Sequence, residues 1–387
     1  MISRGVSSGL LSFSDDPVVA LGGADVIWVA IDTPVDDSDV ADAESVLTSL
    51  QELFSFMSPS PLVIVSSQLP IGSTRKLAAA YLQTTGDSQA DFVCVPENLR
   101  LGLAIERFLK PDRVVVGADS ERSEQRALRF LSHIDAPIVT MSTVAAEATK
   151  HAINSFLATS VAFANEIGLV CRLNGVDPRE VEEGLKTDER IGRRAYVRAG
   201  EGFAGGTLGR DIRYLGMYGD QLDGGLPLLA AVRESNSHYL RWPLRALVHL
   251  NESGMIDFES ASIVILGLTY KSSTNTLRRS SSVEFGRELV ARGVSVRGYT
   301  PTALAEEDDL GFDLVIGGVD EALRGADVAI VMTDVVDVTS LCAGDYVSLM
   351  RTPIVIDYGR FVSDDVRRDG RITVIDSEII QTIEKIH

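Results

Sequence analysis

Cysteine is scarce in this chain. Only three occur in 387 residues, Cys94, Cys171 and Cys342, far apart and without CxxC or Cys/His spacing. That pattern excludes a zinc knot and a disulfide-stapled scaffold, and scattered thiols suit a reducing cytoplasm. Basic residues are in the minority, with 36 Lys and Arg against 55 Asp and Glu and a net charge of −19. A general nucleic-acid binder needs a basic face to neutralise phosphates, so nucleic acid is not an expected partner. No run of about 18 apolar residues is found, and the opening MISRGVSSGLLSFSDD lacks the apolar core of a signal peptide. No membrane span is expected. Internal repeats and low-complexity stretches are missing too.

The composition is that of a folded protein, 45% hydrophobic and 24% charged. The length exceeds one ordinary core, so two or three domains of ~100–200 residues are expected. In the first third, short apolar runs alternate with helical patterns. Residues 24–31 (ADVIWVAI), 61–66 (PLVIVS), 92–95 and 113–117 read as strands, the first ending at the turn signal Asp32-Thr33-Pro34. Helical patterns follow at 43–57 and after Gly72. From Thr143 to about Glu252 the pattern is helical, led by an amphipathic segment over 144–174. The last third returns to alternation, with strands over 262–268, 294–299, 327–333 and 354–357 and a helix over 280–291. Strand–helix alternation implies parallel sheets covered on both faces, hence two doubly wound α/β domains flanking a helical one.

A dinucleotide-binding α/β domain opens with a strand, a glycine-rich turn and a helix. The G-x-G-x-x-G match here is Gly200, Gly202 and Gly205 in GEGFAGG. It follows an Arg-rich helical segment rather than a buried strand, so it is rejected as a dinucleotide fingerprint. The chain instead opens on what reads as the approach to the fourth strand of such a domain, and a leading βαβ unit is expected to be missing.

Four stretches carry chemistry. The first is Val95-Pro96-Glu97-Asn98-Leu99-Arg100, running on to Phe108-Leu109-Lys110-Pro111-Asp112-Arg113. The second holds Glu147, Lys150 and Asn154 in AAEATKHAINSFLA. The third is Asp188-Glu189-Arg190-Ile191-Gly192 followed by GEGFAGGTLGRD, and the fourth is Gly267-Leu268-Thr269-Tyr270-Lys271 with Thr274 and Arg278. In order and spacing they resemble the UDP-glucose/GDP-mannose dehydrogenase family, from about Gly9 to the C-terminus.

The resemblance implies two Rossmann-like domains joined by a helical linker domain. Residues 1–141 would be a partial NAD-binding domain lacking its leading βαβ unit, 142–256 a central dimerisation domain, and 257–387 a UDP-sugar-binding domain. It implies NAD as cofactor, a UDP-sugar as substrate, and a homodimer through the central helices. The implied reaction oxidises a C6 alcohol to a carboxylate in two hydride transfers, the second through a cysteine thiohemiacetal. Carried over by position, Lys150 matches the lysine that steadies a developing oxyanion. Asn154 lies one turn further on the same helix face. Asp211 matches the carboxylate that positions water and polar groups, and Glu97 the glutamate of acid–base work in thioester hydrolysis. Thr33, Pro34, Gln68, Lys271 and Arg278 fall on the cofactor side. Leu99, Arg100, Gly202, Phe203, Gly205 and Arg360 fall on the substrate side, where arginine suits phosphate.

A lone helical lysine is ordinarily a solvated charge, and Asp211 alone reads as a helix cap; the family spacing is what raises both to candidates. Of the five histidines, only His151 is near this chemistry, and it reads as packing. The departures are specific. Thr207 stands where the family has its cysteine, four residues before Asp211, and Gly209-Arg210 replace Pro-Lys. Gln68 replaces a threonine, Asp32 a glycine, and Leu101 a glutamate. Ser272, Asn275 and Thr276 replace a proline and two aspartates. A threonine hydroxyl needs a strong base to attack an aldehyde, and no Ser/Thr–His pattern is visible. Three readings stay open: an NAD-dependent nucleotide-sugar dehydrogenase weakened in its covalent half; a non-catalytic relative that binds a nucleotide sugar or pairs with an intact paralogue; or a protein that begins upstream of Met1 with the missing unit, which would restore cofactor binding but not the cysteine.

Overall fold

The computed structural model describes residues 2–36, 40–97, 99, 103–203, 207–269, 277, 280–301 and 309–376. The chain divides into two compact units, Met1–Ile153 and Asn154–His387.

The first unit is built on a five-stranded sheet of order β1-β2-β3-β4-β5. These are Val26–Val29 (β1), Leu62–Val65 (β2), Asp91–Cys94 (β3), Val114–Gly117 (β4) and Ile138–Met141 (β5). The twofold alternation of strand side chains makes two cores from one run of sequence. Val63 and Val65 face Leu47, Phe54, Leu77 and Tyr81 on one side. Leu62 and Ile64 face Ala127 and Leu131 on the other. Burying each such side chain contributes roughly 1.5–3 kcal/mol, which is why β2, β3 and β4 are buried along their whole length.

Two expectations are corrected here. The sheet is not wholly parallel, since β4 meets β3 antiparallel through the single pair Cys94↔Gly117. The helix expected over 43–57 ends at Glu52 and gives way to a 3₁₀ turn, Phe54–Phe56. That turn swings Phe54 inward, edge-on to Tyr81 at 5.2 Å.

In the second unit a six-stranded sheet has the order β11-β10-β9-β6-β7-β8. Its strands are Ser262–Leu266 (β6), Ser295–Thr300 (β7), Asp313–Ile316 (β8), Val328–Val331 (β9), Ile354–Asp357 (β10) and Thr373–Ile375 (β11). All pair in parallel. The chain winds outward from β6 to β8, then restarts at β9 and winds the other way. The carboxyl ends of β6 and β9 therefore flank a switch point, the place where open α/β sheets take ligands. The helices Pro227–Leu240 and Trp242–Glu252 supply Tyr239, Trp242, Leu247 and Leu250 to the core beneath this sheet, against Ile263, Ile265 and Ile330.

A 31-residue helix, Thr143–Leu173, begins in the first unit and continues into the second. By length and composition alone it is apolar enough to cross a membrane. It also carries buried polar residues, Glu147, His151, Asn154, Ser155 and Asn165, and most of these meet protein partners.

Candidate functional site

In the first unit the expected residues gather at the carboxyl ends of β1, β2 and β3. Thr33, fully buried after β1, donates its hydroxyl to the Gln68 carbonyl at 2.7 Å. Gln68 follows β2, and Pro34 lies exposed beside Thr33. Glu97 follows β3, exposed, with its carboxylate accepting the N–H of Leu99. Lys150 donates from Nζ to the Glu97 carbonyl oxygen at 2.6 Å. Lys150, Glu97 and Gln68 line one small cavity of about 10 Å³ with Ser66, Cys94, Glu147 and His151.

Two further residues act here. Glu147, which sequence reasoning placed in a motif without a role, is 6% exposed. Its carboxylate accepts from the Gly72 N–H, the Thr74 N–H at 2.8 Å and the Thr74 hydroxyl at 2.7 Å. It thus satisfies the open amides at the start of the Ser73–Thr85 helix, whose own Gly72 cap has no side chain to do so. His151, read from sequence as packing, is buried as expected, but its Nε2 also lies 3.0 Å from the Leu69 carbonyl oxygen.

In the second unit Asp211 is fully buried in the Leu208–Gly216 helix, and Asn154 Nδ2 donates to its carboxylate. Thr207 is the residue before that helix. It is exposed, and its hydroxyl makes no capping bond. Residues 200–203 of the loop ahead of it are held by side chains. Asn165 accepts the Gly200 N–H at 2.9 Å and donates to the Glu201 carbonyl at 2.9 Å. Tyr358 accepts the Gly202 N–H, and Asn236 both accepts from and donates to the Phe203 backbone, each at 2.9 Å. The amides of Gly200, Gly202 and Phe203 are thus taken by side chains and not left open for a phosphate. Gly202 leaves no room for a Cβ, which would fall 2.8 Å from Leu240.

Beside this loop is a cavity of about 280 Å³. Gly202, Phe203, Arg198 and Tyr358 line it from one side. Thr269 after β6, Thr333 after β9, and Ser281 and Ser282 at the start of the Ser281–Ala291 helix line it from the other, so it sits at the switch point. Arg360, in left-handed backbone at φ 60°, lies 3.6 Å from Asp177, with its side chain 19% exposed. Arg179 holds the Asp177 carboxyl down at about 2, helped by Arg360. Arg100, Gly205, Lys271 and Arg278 fall outside the described residues.

No thiol replaces the one absent at position 207. Cys94 is buried, and desolvation reinforced by Glu147 pushes its pKa far up. Cys171 is buried in the long helix, and Cys342 is the residue before the Ala343–Leu349 helix.

Residues 1–135, 144–238 and 264–364 match, in turn, the NAD binding, central and UDP binding domains of the UDP-glucose/GDP-mannose dehydrogenase family. The chain belongs to that family. Its relatives include the UDP-glucose 6-dehydrogenases of Rickettsia conorii, 29% identical over 378 residues (95% of this chain, 84% of that protein), and Rhizobium meliloti, 28% identical over 385 residues (96% and 86%). Among solved structures it is similar to a UDP-glucose dehydrogenase from Pyrobaculum islandicum, 30% identical with a TM-score of 0.84 (97% of this chain, 84% of that one). The fold is also that of a UDP-D-ManNAc dehydrogenase from Pyrococcus horikoshii, 24% identical with a TM-score of 0.84 (97% and 86%). Family membership makes the chain an NAD-dependent oxidoreductase by descent. The carboxyl edge of β1, β2 and β3 brings Pro34, Gln68 and Glu97 to the surface, with the buried Thr33 bracing the Gln68 carbonyl behind them. Residues 1–153 contain no G-x-G-x-x-G for the pyrophosphate. The switch-point cavity fits the family's UDP binding domain.

Proposed function

We propose that this protein oxidises the C6 alcohol of a UDP-sugar of the UDP-glucose or UDP-N-acetylmannosamine type, using NAD, and stops at the aldehyde. The carrying observation is the pairing of an intact polar set with a missing thiol. Lys150, Glu97 and the Asn154–Asp211 pair all stand in ordered surroundings, while Thr207 occupies the nucleophile's place. NAD, which Pro34 and Gln68 would hold while the buried Thr33 braces the Gln68 carbonyl, would supply a hydride acceptor. Lys150 offers a fixed positive charge where the sugar hydroxyl loses its proton, and Asn154 and Asp211 orient polar groups around C6. The substrate's nucleotide is read as lying in the switch-point cavity against Phe203, Gly202, Arg198 and Tyr358. One oxidation converts RCH₂OH and NAD⁺ to RCHO, NADH and H⁺. Going on to the uronic acid through a thiohemiacetal needs a thiolate, which Thr207 does not supply.

The test counts NADH formed per UDP-glucose consumed, with the product identified by mass spectrometry. One equivalent and an aldehyde or its hydrate are expected; two equivalents and a uronic acid overturn the reading. A second reading, a nucleotide-sugar-binding relative without turnover, is favoured by the same threonine. Calorimetric binding of UDP-glucose without any NADH would select it.

A homodimer through the central helix belongs to the same proposal. Phe156, Phe163 and Val170 recur every seven residues along that helix and are 70%, 48% and 55% exposed in the single chain. A stripe with that period is the pattern of a helix that packs against another helix.

A further inference from the structure

The first half of the Thr143–Leu173 helix does more than present Lys150. Glu147, Lys150 and His151 are spaced i, i+3 and i+4, so they share one face, and each grips a different piece of the sheet's carboxyl edge. Glu147 takes the amides of Gly72 and Thr74, and Lys150 takes the Glu97 carbonyl. His151 takes the Leu69 carbonyl. A carbonyl oxygen only accepts, so Nε2 of His151 carries the proton and donates.

The segment from Gln68 to Thr74 is therefore fixed at three points. Thr33 holds the Gln68 carbonyl, His151 the next carbonyl, and Glu147 the amides at the far end. Leu69 is itself buried, 3% exposed, so its carbonyl is far from bulk water. Gln68 shares the small cavity with Lys150 and Glu97. Its position relative to Lys150 is thus set by His151, from the same helix that carries the lysine.

We propose that His151 is a positioning residue that locks the Gln68–Pro70 turn against Lys150 and thereby controls use of the cofactor, not of the sugar. The kinetic part of this inference rests on the dehydrogenase reading above; the structural part does not.

Two variants test it. His151→Leu keeps an apolar body and removes the donor, whereas His151→Gln offers an amide N–H to the same carbonyl. The Leu variant is expected to raise the KM for NAD about five-fold, the equivalent of the roughly 1 kcal/mol of one neutral hydrogen bond. The KM for UDP-glucose should change less than about two-fold, and the Gln variant should restore both. Unchanged KM values in the Leu variant, or a Gln variant no better than Leu, overturn the proposal. If the wild-type chain forms no NADH, the dehydrogenase reading fails and hydrogen exchange decides this one separately. Amides 69–74 should exchange about five-fold faster or more in the Leu variant and at wild-type rates in the Gln variant; equal rates in all three overturn it. Should the Leu variant not fold, Gln68→Ala, at a partly exposed position, carries the kinetic test. It should raise the KM for NAD by a similar factor, and no change would overturn the role assigned to the turn.

Discussion

The hydroxyl of Tyr358 accepts the N–H of Gly202 at 2.9 Å, joining the strand end after β10 to the glycine loop. The Tyr358 ring lies nearly parallel to Trp242, centroids 6.0 Å apart at 13°. Tyr358→Phe keeps that stack and removes only the acceptor. A buried amide without its partner costs about 1–3 kcal/mol. The variant should lose stability in that range in urea unfolding and bind UDP more weakly in calorimetry. Burial raises the Tyr358 pKa well beyond its ordinary value, so the hydroxyl stays protonated and the loss should be the same between about pH 6 and pH 9.

The three thiols should differ sharply towards alkylation. Cys94 and Cys171 are buried, and Cys342 is exposed. Because burial raises the Cys94 pKa, its reactive thiolate is scarce near neutral pH. Iodoacetamide on the native protein should label Cys342 alone, as read by peptide mass spectrometry, and should leave any NADH formation intact. Labelling of Cys94 in the folded protein would show that its pocket opens.

Asp119 links acid stability to the start of the long helix. Its carboxylate accepts from the Thr143 N–H at 3.2 Å and hydroxyl at 2.6 Å, and from Arg75 at 2.8 Å. The Arg75 hydrogen bond, with help from Thr143, holds its pKa down at about 2, against 3.8 ordinarily. A folded-state pKa below the unfolded one gives stability that is present above the unfolded value and lost as pH falls through the folded one. Asp119→Ala should therefore lower stability by about 1 kcal/mol at neutral pH, the usual worth of a capping side chain. The surface pair with Arg75 adds little. The difference from wild type should shrink as pH drops from about 4 to about 2, followed by urea midpoints.

The sequence was most legible where burial is complete. β2, β3, β4, β9 and β10 are buried along their whole length and, apart from a terminal Asp in β3 and β10 and a terminal Gly in β4, apolar; all five were expected within one or two residues. β5, β8 and β11 were not anticipated. Each is the outermost strand of its sheet, so it buries little and leaves a weak apolar signal, as the exposed Val139 and Ile316 show. Among candidate site residues, motif spacing singled out Lys150, Asn154 and Asp211, and the side chain of each makes a hydrogen bond in the fold. The contact of His151 with Leu69 was not foreseen, because a bond to a backbone carbonyl imposes no residue type on the partner position. Glu147 was visible only as part of a motif, since its partners are mostly amides.

Phe163 tests the central helix as a dimer interface. It is 48% exposed in the single chain and lies between Phe156 and Val170 in the seven-residue stripe. Phe163→Glu should leave the protomer folded, since it removes no core contact. It should convert a dimer to a monomer in light scattering, because a buried unpaired carboxylate at a helix–helix contact costs several kcal/mol. Retention of the dimer would move the interface elsewhere.

Thr207→Cys asks whether only the nucleophile is missing. Thr207 is exposed at the head of the Leu208–Gly216 helix and makes no capping bond, so a thiol of similar size should be accepted without loss of stability. Four residues on, Asp211 and its donor Asn154 are already ordered. A cysteine there would add the group that forms a thiohemiacetal with the aldehyde, allowing a second hydride to leave. NADH per UDP-glucose should rise from one towards two, uronic acid should replace aldehyde in the product, and iodoacetamide should now abolish the second equivalent. If the ratio stays at one with the new thiol alkylatable, the limiting loss lies on the cofactor side, where Gln68 and Asp32 depart from the family. If neither protein forms NADH while both bind UDP-glucose, the threonine marks a chain that has given up turnover and kept its nucleotide-sugar cavity.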